Sequence, residues 1–241
     1  MSPEIIADLA PTGVLRAGIN LSNFLLVTGK SPAGDPEGVA PDMAREIATR
    51  LGVPVKYVTF NSPGELADQA GKGVWDVGLI GAEPQRAETI AFTAAYVEIE
   101  ATYLVPAGSR LKTIAEVDAA GVRIAVAGRS AYGLWLDRNI KHAELVRTES
   151  LTSATEQFVR GKLEALAGLR PGLLADLDKL PGARILDGKF SSVQQAIGTA
   201  KRNTAGASYL RDFVEEAKAS GLVARLIERH KVRGLSVAPP A

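Results

Sequence analysis

Two stretches of the chain follow one grammar, and that grammar leaves few folds open. From Val14 to Ile80, short runs rich in β-branched residues alternate with amphipathic helical runs, the pattern of a sheet whose parallel strands are joined by crossover helices. Val14–Asn20 reads as a strand after the turn Pro11-Thr12-Gly13, and the Pro/Gly-rich stretch Gly29–Pro41 reads as an exposed loop. A helix is expected next, opened by Pro41-Asp42 and closed by Gly52, with Met43, Ile47 and Leu51 on one face and Arg45, Glu46 and Arg50 on the other. Val53–Phe60 is then a strand, Ser62–Ala70 a helix, and Val74–Ile80 a buried strand.

At Ala101 the alternation restarts. Ala101–Val105 reads as a strand, Thr113–Ala120 as a helix with a capping box from Thr113 and Glu116, and Val122–Ala127 as a buried strand. Gly128-Arg129-Ser130 turns into a helix over Ala131–Asn139. Strand Ala143–Arg147, helix Ser153–Gly161 and strand Leu163–Ala167 complete a second α/β unit. Ala205–Lys231 is helical with a break at Ser220-Gly221, and the end, Ser236–Ala241, is expected to fray. The fold class is therefore α/β, in two lobes, without a repeat of fixed period.

Composition removes several function classes. Lys and Arg total 28 against 27 Asp and Glu, so the formal charge is +1, and nucleic acid is not expected as a partner. The chain has no cysteine, which excludes disulfides, thiolate metal sites and a cysteine nucleophile. Its histidines, His142 and His230, lie among charged residues and read as solvated; no metal and no cofactor are expected. No run approaches the ~20 apolar residues of a membrane span, so the protein is not membrane-embedded. Met1–Asp8 lacks the basic start and apolar segment of a secretory signal, which fits either a cytoplasmic chain or one whose signal was replaced by a start methionine.

Enzyme chemistry finds little support, and no catalytic residue is assigned. No predicted strand leads into a phosphate-cradling glycine loop. Gly128-Arg129-Ser130-Ala131-Tyr132-Gly133 is the nearest approach to a nucleophile elbow, but it lacks the glycine two residues after the serine and has no evident histidine base. The turns instead suggest binding. Strand Val74–Ile80 runs into Gly81-Ala82-Glu83-Pro84-Gln85-Arg86, where the small Gly81 and Ala82 let a ligand approach the backbone. Arg86 reads equally as a planar fork for a carboxylate or as an exposed helix arginine paired with Glu83 or Glu88. Amides at the start of the Ser130 helix would add donors for the same anion.

Three segments carry a resemblance. Gly38–Gly52 (GVAPDMAREIATRLG), Trp75-Asp76-Val77-Gly78 and Pro84–Tyr96 (PQRAETIAFTAAY) resemble, in order and spacing, the amino-acid-type (family 3) periplasmic solute-binding proteins of ABC importers over nearly the whole chain. The resemblance implies a type II periplasmic-binding-protein fold: two α/β lobes joined by two hinge strands and closing on a small molecule. By that match residues 1–99 and 197–241 form lobe 1, residues 100–196 form lobe 2, and the hinge strands lie near Val97–Tyr103 and Gln194–Thr199. Arg86 then falls on the arginine that grips the ligand carboxylate, and Ser130, with Arg129 before it, on the clamp at the lobe 2 helix start. Asn23, with Phe24 as the alternative, falls on the lobe 1 wall.

Two departures from the family pattern bear on the ligand. The segment from Asp76 to Arg86 is shorter than usual by about two residues, and Gly78–Ala82 replaces the Ser/Thr cluster that helps hold a ligand ammonium. In addition Leu169 and Arg170 stand where the family carries the acidic residue that pairs with that ammonium. A buried ammonium without an acid is costly, so a carboxylate lacking an amino group is expected, with a second anionic group near Arg170; the plainer reading of Arg170 is a solvated residue before a proline. The expected function is capture of a small carboxylate-bearing organic molecule, amino-acid-like or an organic acid, between the two lobes, as a monomer in the periplasm, for an ABC permease. A cytoplasmic ligand sensor of the same fold and a dehydratase of the cyclohexadienyl type are the alternatives.

Overall fold

The computed structural model describes residues 1–241. The first part of the chain forms α1 (Pro3–Leu9), β1 (Leu15–Asn20), β2 (Gly29–Lys30), β3 (Pro36–Glu37), α2 (Val39–Leu51), β4 (Val55–Phe60), α3 (Pro63–Asp68), β5 (Val77–Gly81), β6 (Ile90–Phe92) and β7 (Val97–Val105). Then follow β8 (Arg123–Ala127), α4 (Ala131–Asn139), β9 (Glu144–Thr148), α5 (Leu151–Arg160), β10 (Ala165–Leu169), α6 (Arg170–Leu177), β11 (Arg184–Ile185) and β12 (Ser191–Ala200). The chain ends with α7 (Thr204–Ala219), α8 (Leu222–Arg229) and β13 (Ser236–Val237). It divides into two compact units, one of Met1–Glu98 with Gln194–Ala241 and one of Ile99–Val193, and passes between them within β7 and within β12.

In the first unit β1 pairs in parallel with β4 on one side and β5 on the other, and β12 runs antiparallel to β5. Parallel strands need crossovers, and α2 and α3 supply them, covering the sheet and burying every residue of β5. The apolar stripe Met43, Ile47, Leu51 packs with Leu15 and Ile19 and with Leu210, Phe213, Val223 and Leu226 of α7 and α8. Leu66, Trp75, Ile80 and Ile90 form a smaller cluster, where the Trp75 Nε1–H donates to the Leu66 carbonyl at 2.9 Å. Asp76 is held at the foot of β1 by Arg16, through Nη2 at 2.6 Å and Nε at 3.0 Å.

In the second unit β8 lies parallel to β9 and to β10, while β10 runs antiparallel to β7. One cluster gathers Tyr103, Ile124, Val126, Tyr132 and Leu136; another gathers Leu104, Ala125, Phe158, Leu166 and Leu173. The Arg123 guanidinium and the Glu164 carboxylate join the starts of β8 and β10 at 2.8 Å.

Several expectations need correction. Helix α2 starts at Val39, placing Pro41 and Asp42 inside its first turn, because its N-terminus is capped from elsewhere: the Leu26 carbonyl accepts from the Ala40 amide at 3.1 Å. Gly38 makes this possible, since at φ 147° a Cβ there would lie 2.2 Å from that same carbonyl oxygen. The Thr113–Glu116 capping box forms, but it closes only the single 3-10 turn Ile114–Val117. His230 is not simply solvated: its Nε2 lies 2.7 Å from Asp42 Oδ2, a carboxylate also met by Arg45 and Arg229. The tail does not fray up to Pro239, because Val237 pairs with Val97, Ala238 is buried, and the buried Lys218 ammonium donates to the Pro239 carbonyl at 2.8 Å. Gly38→Ala should lower stability by about 2 kcal/mol or more, through strained φ and a backbone clash. Urea unfolding measures this, and an unchanged midpoint would contradict the close approach to Leu26.

Candidate functional site

The loops that carry chemistry sit at strand ends. In the first unit β1 ends at Asn20 and the parallel neighbour β5 ends at Gly81, so the loop 21–28 and the turn 82–88 leave the same edge of the sheet. Gly81 is the last, buried residue of β5, and Ala82 follows with its amide donating to the Gln194 carbonyl at 2.7 Å. The Glu83 carbonyl accepts from the amides of Arg86 and Ala87, each at 2.9 Å, and this turns the chain into the 3-10 helix Arg86–Glu88.

Arg86 is not the exposed helix arginine that the sequence also allowed. It is 5% exposed, and its Nη1 donates to the Gly81 carbonyl at 2.8 Å, which fixes the guanidinium against the end of β5. An arginine is rarely so buried without compensation, because the desolvation of its charge is costly. Glu83, three residues earlier in the same turn, is also buried, at 7% exposure. The sequence reading places Glu83 in this turn as a pairing partner for an exposed arginine; a lone Glu before a proline carries no pattern from which burial could be read.

Asn23 and Phe24 separate in role. Asn23 is buried, and its Oδ1 accepts from the amides of Leu25 and Leu26 at 3.1 and 3.2 Å, closing the turn that in turn caps α2. Its side-chain oxygen therefore serves the backbone. Phe24, next to it, is 44% exposed, a large apolar ring left on the surface of the loop.

In the second unit the parallel pair β8 and β10 end at Ala127 and Leu169, so Arg129 and Ser130 share a sheet edge with Leu169 and Arg170. Ser130 is the N-cap of α4: its Oγ accepts from the Gly133 amide at 3.0 Å and donates to the Ala127 carbonyl at 2.7 Å. Gly133 permits this turn, because a Cβ there would sit 2.8 Å from both the Ala127 oxygen and the Ser130 Oγ. Arg129 is exposed and holds a left-handed backbone at φ 60°, uncommon for a residue with a side chain.

Leu169 is half-buried at the end of β10. Arg170 is not simply solvated: its Nε donates to Glu100 Oε2 at 2.7 Å, and its Nη2 donates to the Gly188 carbonyl. Glu100 reaches it from the neighbouring strand, one step beyond the register pair Leu169↔Ala101. The other oxygen of Glu100 lies 3.7 Å from the Lys189 ammonium. The hydrogen bond from Arg170, with lesser contributions from Lys189, holds the Glu100 carboxyl below the usual carboxylate range. Sequence reasoning missed Glu100 as a member of this group, since only the strand register brings it beside Arg170.

If Asn23 is scaffold and Phe24 is surface, their alanine variants should differ. Asn23→Ala should cost about 1–2 kcal/mol, from the Leu25 amide left without its acceptor while the Leu26 amide keeps the Asn23 carbonyl, and Phe24→Ala less than about 0.5 kcal/mol. Thermal and urea unfolding of the two variants check this, and equal losses would refute the division.

The comparisons bear on what such an arrangement serves. No curated protein matches the chain significantly in sequence. Among solved structures, a putative binding component of an ABC transporter from Wolinella succinogenes, complexed with lysine, is 20% identical over 90% of this chain and 95% of that one, with a TM-score of 0.74. An amino acid ABC transporter substrate-binding protein from Streptococcus pneumoniae, bound to L-arginine, is 19% identical over 98% and 100%, with a TM-score of 0.73. An ancestral amino acid-binding protein, a precursor of cyclohexadienyl dehydratase, is 19% identical over 93% and 98%, also at 0.73. At such identities the likeness shows the fold, which is of the type II periplasmic-binding-protein kind. The model of the bacterial extracellular solute-binding proteins, family 3, matches residues 22–232. With nearly the whole chain inside that match, and its charged side chains at the strand ends of an α/β fold, the chain belongs to family 3 of the bacterial extracellular solute-binding proteins.

Proposed function

We propose that the protein captures a small carboxylate-bearing organic molecule and presents it to an ABC permease outside the cytoplasm. The family supports the solute-binding role. The carboxylate rests on one observation, the buried Arg86 guanidinium fixed to the end of β5 beside the small residues Gly81 and Ala82. In so desolvated a position a planar, two-pronged interaction with a carboxylate is stronger than it would be in water. Phe24 supplies an apolar surface on the first unit; within the second unit Arg129, the α4 N-terminus behind Ser130 and the edge formed by Leu169 and Arg170 lie together beyond β8 and β10. Ser130 acts chiefly by shaping the helix start, since its hydroxyl already both donates and accepts within the fold.

Native mass spectrometry of the protein as purified identifies a retained ligand, and calorimetric titration then measures its affinity. Arg86→Ala should weaken that affinity by at least about 2 kcal/mol, with Arg86→Lys falling between, because lysine keeps the charge but loses the fork. A loss smaller than severalfold in Arg86→Ala would reject the assignment. The two strands that carry the chain between units provide a hinge, so ligand should also make the protein more compact in small-angle scattering. A scattering curve unchanged at saturating ligand would contradict closure.

A further inference from the structure

The sheet of the second unit has another edge, at the start of β10 rather than its end. Leu163 precedes β10, and Pro106 follows β7, which runs antiparallel to it, so both residues lie at that edge. There a cavity of about 280 Å³ is lined by Pro106, Phe158, Lys162, Leu163, Leu180 and Pro181, all of the unit Ile99–Val193. Phe158 and Leu163 are buried and make its floor, continuous with Leu104, Leu166 and Leu173, whereas Lys162 and Pro181 are exposed and mark its mouth. Lys162 holds a left-handed backbone, φ 47°, uncommon for a residue with a side chain. Its amide donates to the Val159 carbonyl at 3.2 Å and its carbonyl accepts from Arg123 Nη2 at 2.9 Å, so the position is fixed from both sides. The glycine usual at such a helix end stands one residue earlier and is required there, because a Cβ on Gly161 would lie 2.8 Å from the Gln157 carbonyl oxygen. A second glycine would still suit the turn better than lysine does. Nor does the fold use the ammonium: the acid two residues on, Glu164, gives both oxygens to Arg123, and no carboxylate pairs with Lys162.

We infer that this cavity is a second ligand site and that it takes an aliphatic carboxylate, the chain against Phe158, Leu163 and Leu180 and the carboxylate on the Lys162 ammonium. The lining decides the chain, because apart from Lys162 it offers no side chain able to make a hydrogen bond, and a polar guest would gain nothing at the inner end. Size decides the length: a cavity of about 150 Å³ holds a benzene ring, so this one has room for a chain of about eight carbons. Charge decides the head. A single unpaired cation attracts an anion and repels an ammonium, and at an exposed mouth the carboxylate keeps part of its hydration, so the pairing carries little desolvation cost. The lysine at a position where glycine would be less strained then has a reason, since backbone strain of this kind persists where a side chain must be aimed. The site shares no residue with the carboxylate site proposed at Arg86, which belongs to the other unit.

The probes are octanoate, octanol, octylammonium and butanoate, each titrated calorimetrically at low salt into the wild-type protein, Lys162→Gly, Val159→Glu and Arg86→Ala, with urea unfolding of every variant. In the wild type octanoate should bind about fivefold more tightly than octanol, the worth of one exposed ion pair, and at least about tenfold more tightly than butanoate, whose shorter chain leaves much of the apolar wall uncovered. Octylammonium should bind least well of the eight-carbon probes. Lys162→Gly should unfold at the same or a higher urea concentration and yet lose the preference for octanoate over octanol, a separation that a purely structural lysine would not give. Val159→Glu places a carboxylate at an exposed position of the same lining, and should weaken octanoate by about fivefold while leaving octanol within about twofold. Equal binding of octanoate and octanol, a preference that survives in Lys162→Gly, or no binding of octanoate would each overturn the inference. Octanoate binding abolished by Arg86→Ala would overturn it as well, by assigning the probe to the carboxylate site of the other unit.

Discussion

Parallel pairing is the constraint from which the arrangement of both units follows. A parallel pair must be joined by a crossover, and the crossover helices cover the sheet faces, so buried strands such as β5 have nothing but their ends free for chemistry. In the first unit this places the loop carrying Phe24 and the turn carrying Arg86 at one edge, beyond the neighbouring ends of β1 and β5. The same rule in the second unit places Arg129 and Ser130 beside Leu169 and Arg170, beyond β8 and β10. The antiparallel strand β7 then delivers Glu100 to that edge because it enters the second unit where β10 ends. Few residues are needed to make a site once topology has gathered the ends.

The two arginines do different work because their surroundings differ. Arg86 is almost wholly buried and tied to a main-chain carbonyl, so an anion there meets a charge that water screens little. Arg170 remains in contact with water and is held by an acid from the neighbouring strand, which makes any single interaction there modest and exchangeable.

Scaffold and site are interleaved in the loops. Asn23 stands where a ligand-facing residue is expected, yet its oxygen closes the turn whose Leu26 carbonyl caps α2. Ser130 likewise stands where a ligand-facing residue is expected, and it is the N-cap of α4. A polar side chain in such a turn has backbone donors within reach, and these are satisfied before any ligand arrives.

The sequence by itself determined what depends on neighbours along the chain. Helix faces such as Met43, Ile47 and Leu51, the capping serines before α3 and α4, the break at Gly221 and the apolar run of β5 follow from local sterics and periodicity, and they stand in the structure as the pattern required. Arg86 could be picked out by its place after β5, but its burial could not, since the carbonyl it binds and the packing around it depend on how the turn folds back on the strand. The start of α2 was misplaced because Gly38 answers to a carbonyl from another loop. His230 was read as solvated because Asp42 lies far away in sequence. The charge at the end of β10 was decided only by tertiary structure: the chain carries no acid at Leu169 or Arg170, and the β7–β10 register supplies Glu100 from the neighbouring strand, because hydrogen-bonded pairing, not sequence distance, sets which side chains meet.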